Sequence, residues 1–400
     1  MTTTLNIAEQ LAAITGPQFV QQHEDVITVS PANTQQVSAI LRYANENGLT
    51  VTPTGGNTKQ SWGNPVPTNI RLELTRLNRV LEHPWQDLTC TVQSGCTWQH
   101  LQQALAKHGQ FVALDPLWPE RATVGGILAT NDSGAIRHRY GSLRDLVIGM
   151  TLVLADGTIA RTGGKVVKNV AGYDLSKLLT GSFGTLAVIT EATFRLHPLP
   201  QHAQTFTVSA PQAAQLAPLM ATIRASHLLT QALQLRGDVN GFYLDIQLNA
   251  HPEAKQSEIL QKMTEAAGLK LESVSDDMWL ARERVFDDPE AHILKVTTYP
   301  SEVAAVAGEV ANLGGQSVAQ ALGIMYTSFP NVLNDLSHLA GNIYARTKVG
   351  SVSVIRTTVS RVPDLSPPWD KREPISVMRA VKHQFDPNRT LNPGRFLGGI

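Results

Sequence analysis

The chain has 400 residues, of which 42% are hydrophobic and 16% charged, a composition that excludes disorder and predicts two domains. Its 33 Lys plus Arg balance 33 Asp plus Glu, so there is no basic excess to neutralise a nucleic-acid backbone, which speaks against nucleic acid as a partner. Two cysteines, Cys90 and Cys96, are too few for a disulfide scaffold or for an iron–sulfur cluster.

The opening MTTTLNIAEQLAAITG has neither a basic start nor an apolar core of about 7–15 residues, so it does not read as a signal peptide. No run approaches the roughly 18 apolar residues of a membrane span. A cytoplasmic protein is expected, membrane-associated at most through partners.

Asp25–Ser30 alternates like a strand. Ser30-Pro31 then opens a helix with Val37, Ile40, Leu41 and Ala44 on one face, stopped by Gly48. Thr50-Val-Thr52 resumes a strand, which makes a βαβ unit ending in the loop Pro53-Thr-Gly-Gly-Asn-Thr58. That loop matches neither G-x-G-x-x-G nor the P-loop, and Gly163-Gly164-Lys165 is a false P-loop lead because Val166 follows. Consecutive glycines with Asn57 and Thr58 can form a nest of N–H donors for a diphosphate; taken alone, an ordinary tight turn explains them better.

Arg71–Arg79 and Leu88–Ser94 are strand-like, and alternation puts Leu88, Cys90 and Val92 on one face, with Cys90 as a core thiol. Trp98, Leu101 and Leu105 form a helix stripe closed by Gly109. From Pro116 to Pro198 eleven glycines punctuate apolar runs, the pattern of a cavity walled by main chain for a large, partly phosphorylated ligand. Within that stretch, Asp156-Gly157 marks a hairpin. Leu186, Val188, Thr190, Ala192 and Phe194 alternate along one long strand.

His197-Pro-Leu-Pro200 marks a domain boundary. Beyond it, strand-like segments (204–209, 230–235, 242–248, 293–298, 317–326, 351–358) alternate with helical ones (211–225, 252–267, 276–286, 302–312, 331–346). This predicts an α+β module with one antiparallel sheet covered by helices on one face. Residues 381–400 read as a turn-rich tail packing back on the first 200, leaving 201–380 as the second domain.

The ordered motifs resemble the FAD-binding oxidoreductases of the vanillyl-alcohol oxidase, PCMH-type family. They are Pro53–Thr58, Ala122-Thr-Val-Gly-Gly126, Asn131-Asp-Ser-Gly134, Tyr140-Gly-Ser-Leu-Arg-Asp145, Lys168-Asn-Val-Ala-Gly-Tyr-Asp174, Gly181-Ser-Phe-Gly-Thr185, Ile189-Thr-Glu191 and Asn392-Pro-Gly394. Within that family, Lys168–Asp174 and the closing Asp386–Phe396 look like those of the FAD-binding subunits of glycolate oxidases.

The resemblance implies an FAD domain of two α+β lobes beneath an α+β cap. Pro53, Thr54, Gly55, Gly56, Asn57 and Thr58 would hold the diphosphate. Thr123, Gly125, Gly126, Asn131, Ser133 and Gly134 would line flavin and phosphates, with Ile189 at the adenine or ribose end and Asn392 from the tail. It implies hydride transfer from a small 2-hydroxy acid to FAD, with electrons leaving through partners, a sister FAD subunit and an iron–sulfur subunit.

Asn57 stands where many relatives carry a flavin-linking His, which implies non-covalent FAD. The histidines past residue 200 lack paired metal spacing, so no metal site is expected. Arg236 and Arg356 could clamp a carboxylate and His138 could face the flavin; solvated or ion-paired arginines and a basic surface loop are the better accounts. Two other readings stay open: a self-sufficient FAD oxidase of a sugar or alcohol, and a flavoprotein scaffold without catalysis.

Overall fold

The computed structural model describes residues 4–164, 174–249, 255–330, 336–346, 350–357 and 374–400. The chain divides into two compact units: Met1–Asp132 with Ser142–Leu199 and Trp369–Ile400, and Ser133–Gly141 with Pro200–Pro368. Most of the Lys168–Asp174 motif lies outside the described residues.

The first unit carries two sheets. In the first, Val26–Val29 and Val51–Thr54 both run parallel to Ile70–Glu73, and Val20–His23 closes one edge antiparallel. The crossover helix is Thr34–Glu46, so it begins later than Pro31. Asn33 is its cap, accepting from Gln36 N at 2.9 Å, while Gln36 Oε1 accepts from Ala32 N at 2.7 Å. Val37, Ile40, Leu41 and Ala44 are fully buried on one stripe, the three larger side chains contributing about 2 kcal/mol each.

The second sheet is antiparallel, in the order Val80–Glu82, Thr89–Gln93, Val188–Arg195, Val147–Val153, Ile159–Gly163, with a turn at Asp156-Gly157 between the last two. Cys90 and Val92 are buried in its core, but Leu88 is not: it sits at φ +51°, capping a short turn, 37% exposed. Val188–Arg195 does not alternate throughout. A bulge at Thr190 shifts its pairing with Val147–Val153 between Ile189 and Glu191. Val188 therefore joins the core of the first sheet, while Ile189, Ala192 and Phe194 join that of the second.

The tail is fixed to this unit by main chain and by a buried ion pair. Val51 N donates to Thr390 O at 2.7 Å and Asn392 N to Val51 O at 3.0 Å. Lys382, on helix Pro374–Phe385, donates to Thr185 O at 2.7 Å, to Leu391 O at 2.8 Å and to Asp386 at 2.5 Å. Asp386, fully buried, also accepts from Thr390 N and Leu391 N, each at 2.8 Å. Burial pulls the Lys382 ammonium below the usual lysine range, and the Asp386 carboxylate opposes it.

The second unit is built on an eight-stranded antiparallel sheet. Helices Ala213–Ala225, Gln256–Ala266, Val303–Asn312 and Leu336–Arg346 pack on its apolar face, represented by Leu233, Leu235, Leu244 and Ile246. Two segments depart from expectation. Residues 317–326 are two strands, Gln316–Gln320 and Ile324–Phe329, turning at Gly323 with φ +97°. The stretch 276–286 is a 3₁₀ turn, Asp276–Leu280, followed by the short helix Ala281–Arg284.

Part of the opposite sheet face is polar and buried, Thr207, Gln234 and Asp245 among it. Asp245, fully buried, accepts from Arg236 Nε at 2.8 Å, Gln234 Nε2 at 2.9 Å and Thr207 Oγ1 at 2.8 Å. Burial pushes its carboxyl above the usual range, and Arg236 is the largest opposing influence. Removing Arg236 leaves that carboxylate buried without its cation, and its folded-state pKa rises further. The unfolded chain then ionises first, so stability falls as pH rises from the ordinary carboxylate range through the raised folded value. Arg236→Met is expected to cost about 3 kcal/mol near pH 7, and less toward acid, in urea melts compared with the unsubstituted protein. A loss independent of pH would contradict this.

Candidate functional site

The loop after Val51–Thr54 opens a groove in the first unit. Pro53, Thr54, Gly55, Gly56, Asn57, Thr58, Thr123, Gly125, Gly126, Ile189 and Asn392 all line it. The groove is open to solvent, and its empty space, that solvent included, is about 780 Å³.

The glycines act first on the protein itself. A Cβ on Gly55 would stand 2.1 Å from Thr123 Oγ1, and one on Gly56 only 1.7 Å from Arg121 O. On Gly125 it would meet Ser94 Cβ at 2.9 Å. These three let the two loops and the neighbouring strand end close on one another. Gly126 is different, because its Cβ position meets only Thr123 Oγ1 at 3.4 Å and otherwise opens on space.

What the groove offers a ligand is unpartnered main chain. The N–H groups of Gly55, Gly56, Asn57 and Thr58 find no acceptor among the described residues, with Asn57 at φ +56°. Four consecutive donors in a turn form a nest for an anion. By contrast, Gly125 N–H is taken by Ser94 O at 2.7 Å. Ser94 Oγ and Asn392 Oδ1 are buried in the lining with no partner among the described residues, while Asn392 Nδ2 donates to Phe183 O at 2.8 Å. Unsatisfied buried polar atoms are costly, and a dinucleotide with phosphates and a hydrogen-bonding ring edge would satisfy them.

Several lining residues lie outside the expected set: Lys59, Gln60, Leu74, Ser94, Ser182–Gly184 and Arg395 among them. Lys59 is buried, paired with Asp132 at 3.2 Å, and its ammonium lies 5.2 Å from the Trp118 ring centroid and 5.7 Å from that of Trp62. A Lys three residues past a glycine pair and an Asp far along the chain carry no spacing signal. Only folding joins them.

Other expected residues lie elsewhere. Asn131 ends helix Val124–Thr130 as its cap at φ +48°, with Oδ1 buried and no hydrogen-bond partner for it among the described residues. Ser133 and Gly134 belong to the second unit, where Ser133 O accepts from Arg282 and, at 2.5 Å, from Gln320 Nε2. Arg356 donates to the carbonyls of Phe286 and Asp288. His138 is half-buried, its Nδ1 buried with no partner among the described residues, and burial first, then Arg224 and Arg139, pull its pKa down.

Two substitutions separate packing glycines from ligand-facing ones. Gly56→Ala is expected to destabilise the apoprotein by more than about 2 kcal/mol through the clash with Arg121 O. Gly126→Ala, inside a helix, is expected to leave thermal stability equal or slightly higher while weakening dinucleotide affinity at least about tenfold by isothermal titration. Equal behaviour of the two variants would contradict this division.

The family described as FAD binding domain matches residues 26–163. The chain is 28% identical to glycolate oxidase subunit GlcD of Bacillus subtilis over 95% of this chain and 90% of that protein. It is 43% identical to a D-lactate dehydrogenase of Archaeoglobus fulgidus, over 44% of this chain and 39% of that protein. Its fold is that of 4-ethylphenol oxidase from Gulosibacter chungangensis, with a TM-score of 0.73 at 17% identity, covering 98% and 96% of the two chains. The unpartnered N–H nest of Gly55–Thr58 lies inside the region that matches the FAD binding domain.

Proposed function

We propose that the chain is the FAD-binding subunit of a glycolate oxidase-like 2-hydroxy-acid dehydrogenase complex, with FAD held non-covalently. The observation that carries the reading is the likeness to a glycolate oxidase subunit over nearly the whole chain, joined to a groove suited to a dinucleotide. The D-lactate dehydrogenase likeness supports the same substrate class, a short 2-hydroxy acid.

Bound FAD supplies the hydride-accepting ring system. The N–H nest of Gly55–Thr58 holds negative charge, and Ser94 and Asn392 turn buried oxygens into the groove. Asn57 has no nucleophilic ring nitrogen to form a flavin bond, which supports non-covalent attachment. Both cysteines are buried in the first unit, and a cluster needs about four thiolates, so an iron–sulfur acceptor would come from a partner.

The purified chain is expected to absorb near 450 nm and, after acid precipitation, to give a colourless pellet and a yellow supernatant. With glycolate or D-lactate and a dye acceptor, the isolated chain should turn over poorly, and proteins co-purified with it from its native host should restore activity. Robust turnover by the chain alone contradicts the subunit reading, and a yellow pellet contradicts non-covalent binding.

A further inference from the structure

Arg395 follows the Asn392-Pro-Gly394 turn and lines the groove with 7% of its surface exposed. Its guanidinium donates to Gln60 O at 2.7 Å and to Lys59 O at 3.4 Å, the main chain immediately after the N–H nest. No carboxylate among the described residues pairs with it. The other cation in the lining, Lys59, is neutralised by Asp132. Arg395 therefore brings a buried, uncompensated positive charge to the groove.

Its place is built, not incidental. Asn64 N donates to Arg395 O at 3.0 Å, and Asn64 Nδ2 donates to Gly394 O at 3.0 Å and Phe396 O at 3.3 Å. A Cβ on Gly63, at φ +82°, would lie 2.8 Å from Arg395 O. Phe396 packs on Phe183, ring centroids 5.8 Å apart, and Phe183 lines the groove. Burial alone pulls the guanidinium down to about 10, so it stays charged at neutral pH. Several independent contacts hold a charge where it gains no carboxylate, an arrangement that costs stability unless an anion joins it.

We propose that Arg395 is the counter-charge for the dinucleotide's diphosphate, delivered by the C-terminal tail to the end of the Gly55–Thr58 nest. The proposal rests on the reading of the groove as the FAD site. It predicts that the tail discriminates between flavins by charge: FAD gains from Arg395, and riboflavin, which has the same ring and no phosphate, does not.

The test is binding of FAD and of riboflavin to the purified full-length apoprotein, followed by flavin fluorescence. Arg395→Gln is expected to weaken FAD binding about tenfold to a hundredfold while riboflavin affinity holds within about twofold. Arg395→Lys, which keeps the charge and loses the fork, should recover part of the loss. In the unsubstituted protein, raising salt should lower the FAD-to-riboflavin affinity ratio, and this measurement stands even where a variant does not fold. A ratio unchanged by Arg395→Gln, or insensitive to salt in the unsubstituted protein, overturns the proposal. If the unsubstituted apoprotein binds neither flavin, it is the reading of the groove that fails.

Discussion

Two loops can meet here only because no Cβ stands between them. Gly55 lies against Thr123 and Gly56 against Arg121 O, closer than any other residue type allows. That approach leaves the N–H groups of Gly55–Thr58 turned away from protein acceptors. The proposed dinucleotide site is in this sense a by-product of packing: main chain is forced together, and the donors it does not use internally are left for a ligand. The strand Val51–Thr54, held in place by Ile70–Glu73 on one side and the Thr390–Asn392 main chain on the other, sets where that loop begins.

The tail is the second half of the same device. The buried Lys382–Asp386 pair ties helix Pro374–Phe385 to Thr185 O, next to the groove-lining Ser182–Gly184 turn, and to Leu391 O, next to Asn392. Asp386 in turn receives two main-chain N–H groups from the same segment. A buried ion pair is seldom a net source of stability, but losing one partner is costly, so such a pair specifies geometry more than it adds energy. Here the geometry specified is the position of Asn392 and Arg395 in the groove. Residues some 330 positions apart in sequence, such as Asn64 and Gly394, thereby become one wall.

Much of this was legible in the sequence, for local reasons. The helix with Val37, Ile40, Leu41 and Ala44 on one stripe, the turn at Asp156-Gly157 and the alternation in the second half each express a period or a turn chemistry within a few residues. The glycine pairs marked the groove, but the reason attached to them was incomplete: Gly55, Gly56 and Gly125 clear room for protein atoms, and only Gly126 faces open space. Illegible features were those made by distant partners. The Thr190 bulge depends on pairing with Val147–Val153, so the apparent alternation of Val188 with Ala192 concealed a change of face. Lys59 with Asp132, and Arg395 with Gln60 O, have no local signature at all. Ser133 and Gly134 follow the motif in order along the chain yet fold with the second unit, since sequence adjacency to Asn131 says nothing of which unit captures them.

The central claim is that free main-chain amides of the first unit grip the cofactor. Amide hydrogen exchange of the purified protein with and without FAD tests it most directly. Slowed exchange confined chiefly to Gly55–Thr58 and the flanking groove segments, with the eight-stranded sheet of the second unit unchanged, is the result predicted. FAD bound tightly with no slowing at Gly55–Thr58 would contradict it.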